Sequence, residues 1–181
     1  MENPKICSMC DETGSEFRCA CKGVYYCSVQ CQKEGWSAHK PNCYVHLMKR
    51  LKDHQKTKGK NDPSLVKHHT KIAKLHHHEG RLAEAVVSYK KAYSILTLAH
   101  GRTSKQTEDA VYELANLYEL MGQHKDAKKM YTTSLEILRQ GGGSHDRAKE
   151  AFLLNKIGSF TSRMGDMKEA LDIHMQVLPP T

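Results

Sequence analysis

Tyr25-Tyr26-Cys27-Ser28-Val29-Gln30-Cys31-Gln32-Lys33-Glu34-Gly35-Trp36-Ser37-Ala38-His39-Lys40-Pro41-Asn42-Cys43 carries two pairs of metal-binding side chains, each spaced by four, with one indole between them. Upstream stand Cys7-x2-Cys10 and Cys19-x-Cys21, so all seven cysteines of the 181-residue chain fall between Cys7 and Cys43. An odd number cannot pair completely as disulfides. Seven cysteines with His39 instead supply the ligands that close two tetrahedral zinc sites. Cys7 and Cys10 suit a zinc knuckle, in which a tight turn aims two sulfurs at one metal. Cys27 with Cys31, and His39 with Cys43, lie at i and i+4, which predicts that each pair points from one face of a short helix. Two sites filled in this way leave no position for water or substrate, so they are expected to be structural rather than catalytic. Spacing alone leaves open which pairs share an ion, and His46 is an alternative ligand to His39.

Outward from this cluster the composition changes. The first 45 residues are too few to bury a self-sufficient apolar core, which is where small domains use metal as a staple. Charge is balanced there, with five Lys/Arg and five Asp/Glu, whereas residues 46–80 carry nine against three and the remainder fourteen against twelve. Three parts are therefore expected: a zinc finger over 1–45, a basic helix and linker over 46–63, and a helical array over 64–178. The start Met1-Glu2-Asn3-Pro4 is unlike a signal peptide and no run of eighteen apolar residues occurs. The chain thus reads as a soluble intracellular protein, cytoplasmic or nuclear, with reduced thiols and no membrane partner. The basic run Lys49 to Lys60 raises nucleic acid as a partner or a nuclear address, but it lacks interleaved aromatics and reads better as a solvated linker.

The third part repeats itself. Gly80, Gly122 and Gly165 lie 42 and 43 residues apart, and their alignment brings Ala73, Ala115 and Gly158 into register seven residues before each glycine. Ala85, Ala127 and Ala170 fall five residues after it, and Tyr89, Tyr131 and His174 nine after it. Small residues and rings thus recur where the two helices of a hairpin would touch, with the glycine ending the first helix. His76-His77-His78 invites a metal reading, but adjacent helical residues point about 100° apart and cannot close on one ion.

The string Tyr25-Tyr26-Cys27-x3-Cys31-Gln32-x3-Trp36-x2-His39-x3-Cys43 resembles the second half of the MYND zinc finger at every hallmark position. That resemblance implies interleaved ligand sets, with Cys7, Cys10, Cys27 and Cys31 on one zinc and Cys19, Cys21, His39 and Cys43 on the other. The single residue between Cys19 and Cys21 departs from the family's usual two, with Lys22-Gly23 placed to absorb the shift. RING and PHD fingers also interleave eight ligands, but their histidine stands fourth or fifth, not seventh. MYND fingers take proline-rich peptides as an added β-strand, which implies Glu16 to Arg18 as the receiving strand with Gln32 and Trp36 beside it. The plainer role for Trp36 is a core ring packed next to His39.

The helical pattern resembles tetratricopeptide repeats, and Glu108-Asp109-Ala110-Val111-Tyr112-Glu113-Leu114-Ala115-Asn116-Leu117-Tyr118 resembles the longer version found in kinesin light chains. His76 and Thr161 depart from the pattern where the middle repeat has Tyr118, the loops Gly101–Thr107 and Gly141–Ser144 are long, and no polar capping helix is evident after Val177. The implied fold is a small two-zinc MYND finger, irregular with a short β-hairpin and short helices, followed by all-α helical hairpin repeats. Their groove would use Asn116 and Asn155 to hydrogen-bond an extended peptide and Lys74 to receive a carboxylate. The function expected is a non-enzymatic adaptor that reads proteins or peptides, one of them proline-containing, through two surfaces. Two rivals stand beside it. The first is a SET-type protein lysine methyltransferase or a fragment of one, whose catalytic domain has no room in the short linker; no phosphate loop, nucleophile elbow or paired-carboxylate motif points to a small-molecule substrate. The second is a nucleic-acid-associated regulator using the basic linker.

Overall fold

The computed structural model describes residues 7, 8, 10, 17–19, 24–40, 43–140 and 146–177. They form two compact units, Met1–Lys58 and Gly59–Thr181.

In the first unit, β1 (Phe17–Arg18) pairs antiparallel with β2 (Tyr25–Tyr26), Phe17 opposite Tyr26 and Arg18 opposite Tyr25. The other edge of β2 makes a parallel bridge from Tyr25 to Cys7, with the Ser8 amide donating to the Tyr25 carbonyl at 2.9 Å. Helix α1 (Val29–His39) starts because the Ser28 hydroxyl accepts from the Cys31 amide, capping one of the donors that a helix start leaves unpaired. Helix α2 (Tyr44–Lys58) follows directly after Cys43. The contact boundary between the units falls after Lys58, so the basic helix expected within a 46–63 connection is counted with the finger; the Trp36 ring meets the His46 ring edge-on at 6.1 Å. The buried set of this unit around the hairpin is Cys7, Cys19, Tyr26 and Cys43.

The second unit opens with a 3₁₀ turn, Pro63–Leu65, capped by Asp62, and continues as three helical hairpins: α3 (Val66–His78) with α4 (Leu82–His100), α5 (Lys105–Leu120) with α6 (His124–Gln140), and α7 (Arg147–Arg163) with α8 (Met167–Met175). Gly80, Gly122 and Gly165 each sit just past a first helix at φ of 73°, 68° and 93°. Each donates to the residue three back, and the next residue's amide reaches five back: Arg81 to His76 at 2.8 Å, Gln123 to Tyr118 at 2.9 Å, Asp166 to Thr161 at 3.2 Å. These are three copies of one helix stop, and the left-handed backbone explains why glycine recurs there. They also account for the departures at His76 and Thr161, since this position supplies a carbonyl that any side chain leaves available.

The aligned small residues and rings do meet. Ala73, Ala85, Tyr89, Ala115, Ala127 and Tyr131 share one core with Leu114, Leu117, Leu153 and Phe160. A Cβ at Gly158 would lie 2.6 Å from His174 Nε2, so any larger residue there would require the His174 ring to move. The segment Gly141–Ser144 and the stretch after Val177 lie outside the described residues.

Helix α3 buries His68, His69 and His76 while His77 and His78 face out, so the triplet is split around the helix. Burial first, and then the nearby Lys91 and His68, push the His69 pKa down to about 4. A depressed imidazole must charge in order to unfold favourably in acid, so its stabilising effect is intact above the ordinary 6.5 and is lost as pH falls toward 4. The helical unit is therefore expected to lose about 2 kcal/mol from His69 between pH 7.5 and pH 5. Urea titrations followed at 222 nm at the two pH values measure this. His69→Leu should shrink the difference, and a midpoint that does not move between the two pH values would contradict the burial account.

Candidate metal centre and interaction surfaces

The β-hairpin and the start of α1 gather four sulfurs. Cys7 lies on the bridge to Tyr25, Cys10 follows, Cys27 ends the turn after β2, and Cys31 sits in the first turn of α1; their ligand atoms all fall within 4.8 Å of one another. Sγ of Cys27 is 3.5 Å from Sγ of Cys10 and 3.5 Å from Sγ of Cys31. A second group, Cys19, His39 and Cys43, forms where the end of β1 meets the break between α1 and α2. There Cys19 and Cys43 stand 3.7 Å apart and His39 Nε2 is 3.3 Å from the Cys19 sulfur.

These distances fit a metal rather than disulfides. A tetrahedron with zinc–sulfur bonds of about 2.3 Å has sulfur–sulfur edges of about 3.8 Å and sulfur–nitrogen edges of about 3.6 Å, close to the observed separations and far beyond a bonded pair of about 2.05 Å. No disulfide joins any two of the six described cysteines. Burial lowers the pKa of His39, which favours the neutral imidazole that coordination requires. Of the two candidate histidines, His39 lies in the group and His46 does not.

One expectation needs correction. The i, i+4 pairs do not each lie along one helix: Cys27 precedes the Ser28 cap, and Cys43 lies in the break between α1 and α2. A helix carrying both members would hold its sulfurs along one stripe, whereas a helix end lets the outer residue swing back to the metal side. Cys21 and Glu16 lie outside the described residues.

Trp36 is half-buried, packs with the sulfur cluster and tilts against His39 at 5.8 Å between ring centroids. It therefore fills the core role and still leaves ring surface free. Gln32 is half-buried one turn earlier on α1.

In the repeats, exposed Lys74 lines a cavity of about 410 Å³ between α3, α4 and α5, together with Thr70, Tyr112 and Glu113. Asn116 and Asn155 are placed differently from expectation. The Tyr131 hydroxyl lies 2.7 Å from both Asn116 Oδ1 and Glu119, and its single proton serves one at a time. Asn155 Oδ1 lies 3.2 Å from His174 Nδ1. The Asn116 carbonyl thus shares the Tyr131 proton with Glu119, and the Asn155 carbonyl faces His174 of α8, so each side chain is held toward the second helix of its own hairpin.

Sequence reading missed the carboxylate that joins the hairpins. Glu108 is 1 % exposed and accepts from Ser134 Oγ at 2.5 Å, Lys149 Nζ at 2.5 Å and Lys105 Nζ at 3.1 Å. No single helix carries this pattern, since the partners sit 26 and 41 residues away.

A family model of the MYND finger matches residues 7–43, and one of the tetratricopeptide repeat matches residues 64–140. The chain is a MYND-finger protein with tetratricopeptide repeats. Among solved structures, BtubC (BKLC) from P. vanneervenii superposes with a TM-score of 0.61 at 15 % identity, covering 83 % of this chain and 64 % of that one, so the chain spans less than two thirds of that relative. A putative kinesin light chain from Podosopora anserina with nearly identical TPR-like repeats gives a TM-score of 0.61 at 18 % identity, covering 82 % of this chain and 72 % of that one. At such identities the likeness establishes the fold alone, an array of tetratricopeptide-like helical hairpins. MYND fingers imply zinc, and the sulfur clusters of this MYND-finger protein fit it. Among the described residues no helix is long and apolar enough to cross a membrane.

Proposed function

We propose that this protein is a non-enzymatic adaptor whose zinc-stabilised finger takes a proline-containing peptide and whose repeats take a second protein. One zinc is held by Cys7, Cys10, Cys27 and Cys31, the other by Cys19, Cys21, His39 and Cys43. The ions cross-link a segment too short to hold itself together, and their four-ligand sites leave no coordination position for a substrate.

The observation that supports this reading most is the state of the small sheet. Both edges of β2 are taken, by β1 and by the bridge to Cys7, whereas the outer edge of β1 has no strand beside it among the described residues. An open edge of Phe17–Arg18 is what an added strand needs for its backbone bonds, and the free face of Trp36 suits a proline ring. Glu16 and Gln32 would flank the peptide. In the repeats the cavity beside Lys74 gives a second peptide a place to lie.

Trp36→Ala tests the finger. A labelled proline-rich peptide should bind the full chain about thirtyfold more weakly after the substitution, as expected for an aromatic hot spot worth ~2 kcal/mol, while zinc content stays unchanged. Equal binding by the variant would refute the pocket.

A further inference from the structure

The glycine after each first helix sets a common register for the three second helices. Counted from Gly80, Gly122 and Gly165, the positions two, six and ten residues on are Leu82, Val86 and Lys90 in α4, His124, Lys128 and Thr132 in α6, and Met167, Leu171 and Met175 in α8. In α4 and α6 these positions meet the following hairpin. Val86 is buried, and Lys90 Nζ lies 5.6 Å from the centre of the Tyr118 ring on α5. The His124 ring stands 5.6 Å from that of Phe160 on α7, and Lys128 pairs with Glu169 of α8 at 2.9 Å. In α8 the same positions are bare: Met167 is 66 % exposed, Leu171 60 % and Met175 59 %.

The side chains differ as well as the cover. The two covered sets mix apolar, cationic and hydroxyl groups that suit what the next hairpin brings, whereas the α8 set is wholly apolar. Spaced by four, its three members fall within about 80° of one another around the helix and form one stripe. A contiguous stripe marks an interaction site in a way that scattered exposed side chains do not. Two copies meeting about a two-fold axis offer such a stripe its own apolar groups in return.

Charge fixes the direction of that pairing. Exposed Lys168 and Asp172 border the stripe on one side, and neither makes an ion pair among the described residues. With two α8 helices antiparallel and Leu171 against Leu171, Met167 lies against Met175 of the second copy. Lys168 then comes within about 3 Å, along the helix axis, of Asp172 of the second copy, and the contact occurs twice by symmetry. A parallel pair would instead oppose Lys168 to Lys168 and Asp172 to Asp172, which repels.

We propose that α8 is a self-association surface, on which two copies of this chain pair antiparallel through Met167, Leu171 and Met175 with Lys168 set against Asp172. This goes beyond the adaptor reading, because each assembly then carries two fingers and two helical arrays. Two nine-residue helices bury less than a permanent interface needs, so the dimer exchanges with monomer as concentration falls.

Sedimentation equilibrium of the zinc-loaded full chain, from about 10 μM to about 1 mM, tests this. Monomer and dimer should be in exchange, with no larger species. Leu171→Glu brings two carboxylates together at the centre and should weaken the dimer at least about thirtyfold. The side chain is largely exposed, so the signal at 222 nm and the melting temperature of the dilute monomer should not move. Lys168→Asp alone opposes like charges and should weaken the dimer about fivefold, whereas Lys168→Asp combined with Asp172→Lys restores the pair and should recover most of that loss. A chain that stays monomeric at about 1 mM would overturn the proposal and leave the stripe to a helix of a different protein. A dimer that Leu171→Glu leaves intact, assembly beyond the dimer, or a charge exchange that recovers nothing would overturn it as well.

Discussion

Chelating zinc from the full chain is expected to unfold residues 7–58 and to leave the helical unit folded. The reason lies in what the finger buries. Its buried cluster is Cys7, Cys19, Tyr26 and Cys43, with Val24, Cys27, Cys31 and Trp36 packed against it, so most of its core consists of proposed ligands. Two strands of two residues each and an eleven-residue helix contribute little by themselves. Structural zinc in small fingers contributes about 10–16 kcal/mol near neutral pH, more than such a segment gains from any other source. The helical unit has its own core of buried side chains spread over α3 to α7 and needs no metal. Trp36 is the only tryptophan and sits among the ligands, so its emission reports the finger, while the signal at 222 nm is dominated by the repeats. Loss of the first with retention of most of the second is the expected result. An unaltered Trp36 spectrum after complete removal of zinc would mean that the metal does not hold the fold.

Glu108→Ala should be the most damaging single substitution of a charged residue in the repeats, at about 3 kcal/mol, or roughly 10 °C in melting temperature for a unit of this size. Glu108 on α5 ties α6 through Ser134 and α7 through Lys149. Lys149 and Lys105 reach solvent and can rehydrate when the carboxylate is gone, which keeps the loss near the low end for a broken buried pair. Ser134 is 0 % exposed and cannot. Glu108→Gln keeps an acceptor for Ser134 and should cost about half as much. Burial pushes the Glu108 carboxyl pKa up, but the hydrogen bonds from Lys149, Ser134 and Lys105 outweigh it and hold it below the ordinary 4.5. Its contribution is therefore complete above the unfolded value and disappears as pH falls through the lower folded one. That window lies below the range in which His69 acts, so the two can be separated by the pH at which stability falls. Thermal melts of the three proteins at pH 7.5 decide the matter; equal melting temperatures would show that Glu108 carries no inter-hairpin load.

What could be read in the sequence was what is encoded locally. The spacing from Cys27 to Cys43 describes a compact segment, so ligand residues could be named before their geometry was known, and the structure gathers seven of the eight proposed ones into two groups. The repeating glycines were legible for a similar reason: a left-handed residue at a helix stop depends on its own backbone, whatever stands around it. The burial of Ala73 and Tyr89 in one core, and the approach of His174 to Gly158, follow from the same register. The swing of Cys27 and Cys43 beyond the helix ends was less legible, because i, i+4 spacing is equally consistent with a helix and with its cap. Hidden altogether were contacts between elements. Asn116 and Asn155 look free on a helical wheel, yet Tyr131 and His174 of the partner helix engage their carbonyls. Whether a lysine is paired likewise depends on the neighbouring hairpin, as Lys149 with Glu108 and Lys156 with Glu119 show.

The adaptor reading depends on both metal sites being closed by protein. X-ray absorption at the zinc edge of the full chain tests this most directly, because it counts ligand types. Two closed sites built from Cys7, Cys10, Cys19, Cys21, Cys27, Cys31, Cys43 and His39 predict an average of about 3.5 sulfurs at ~2.3 Å and about 0.5 nitrogen at ~2.0 Å per zinc, with two zinc ions per chain. Three or fewer sulfurs with an oxygen shell would reveal an open coordination position, and the finger would then have to be treated as a reactive centre rather than a binding surface.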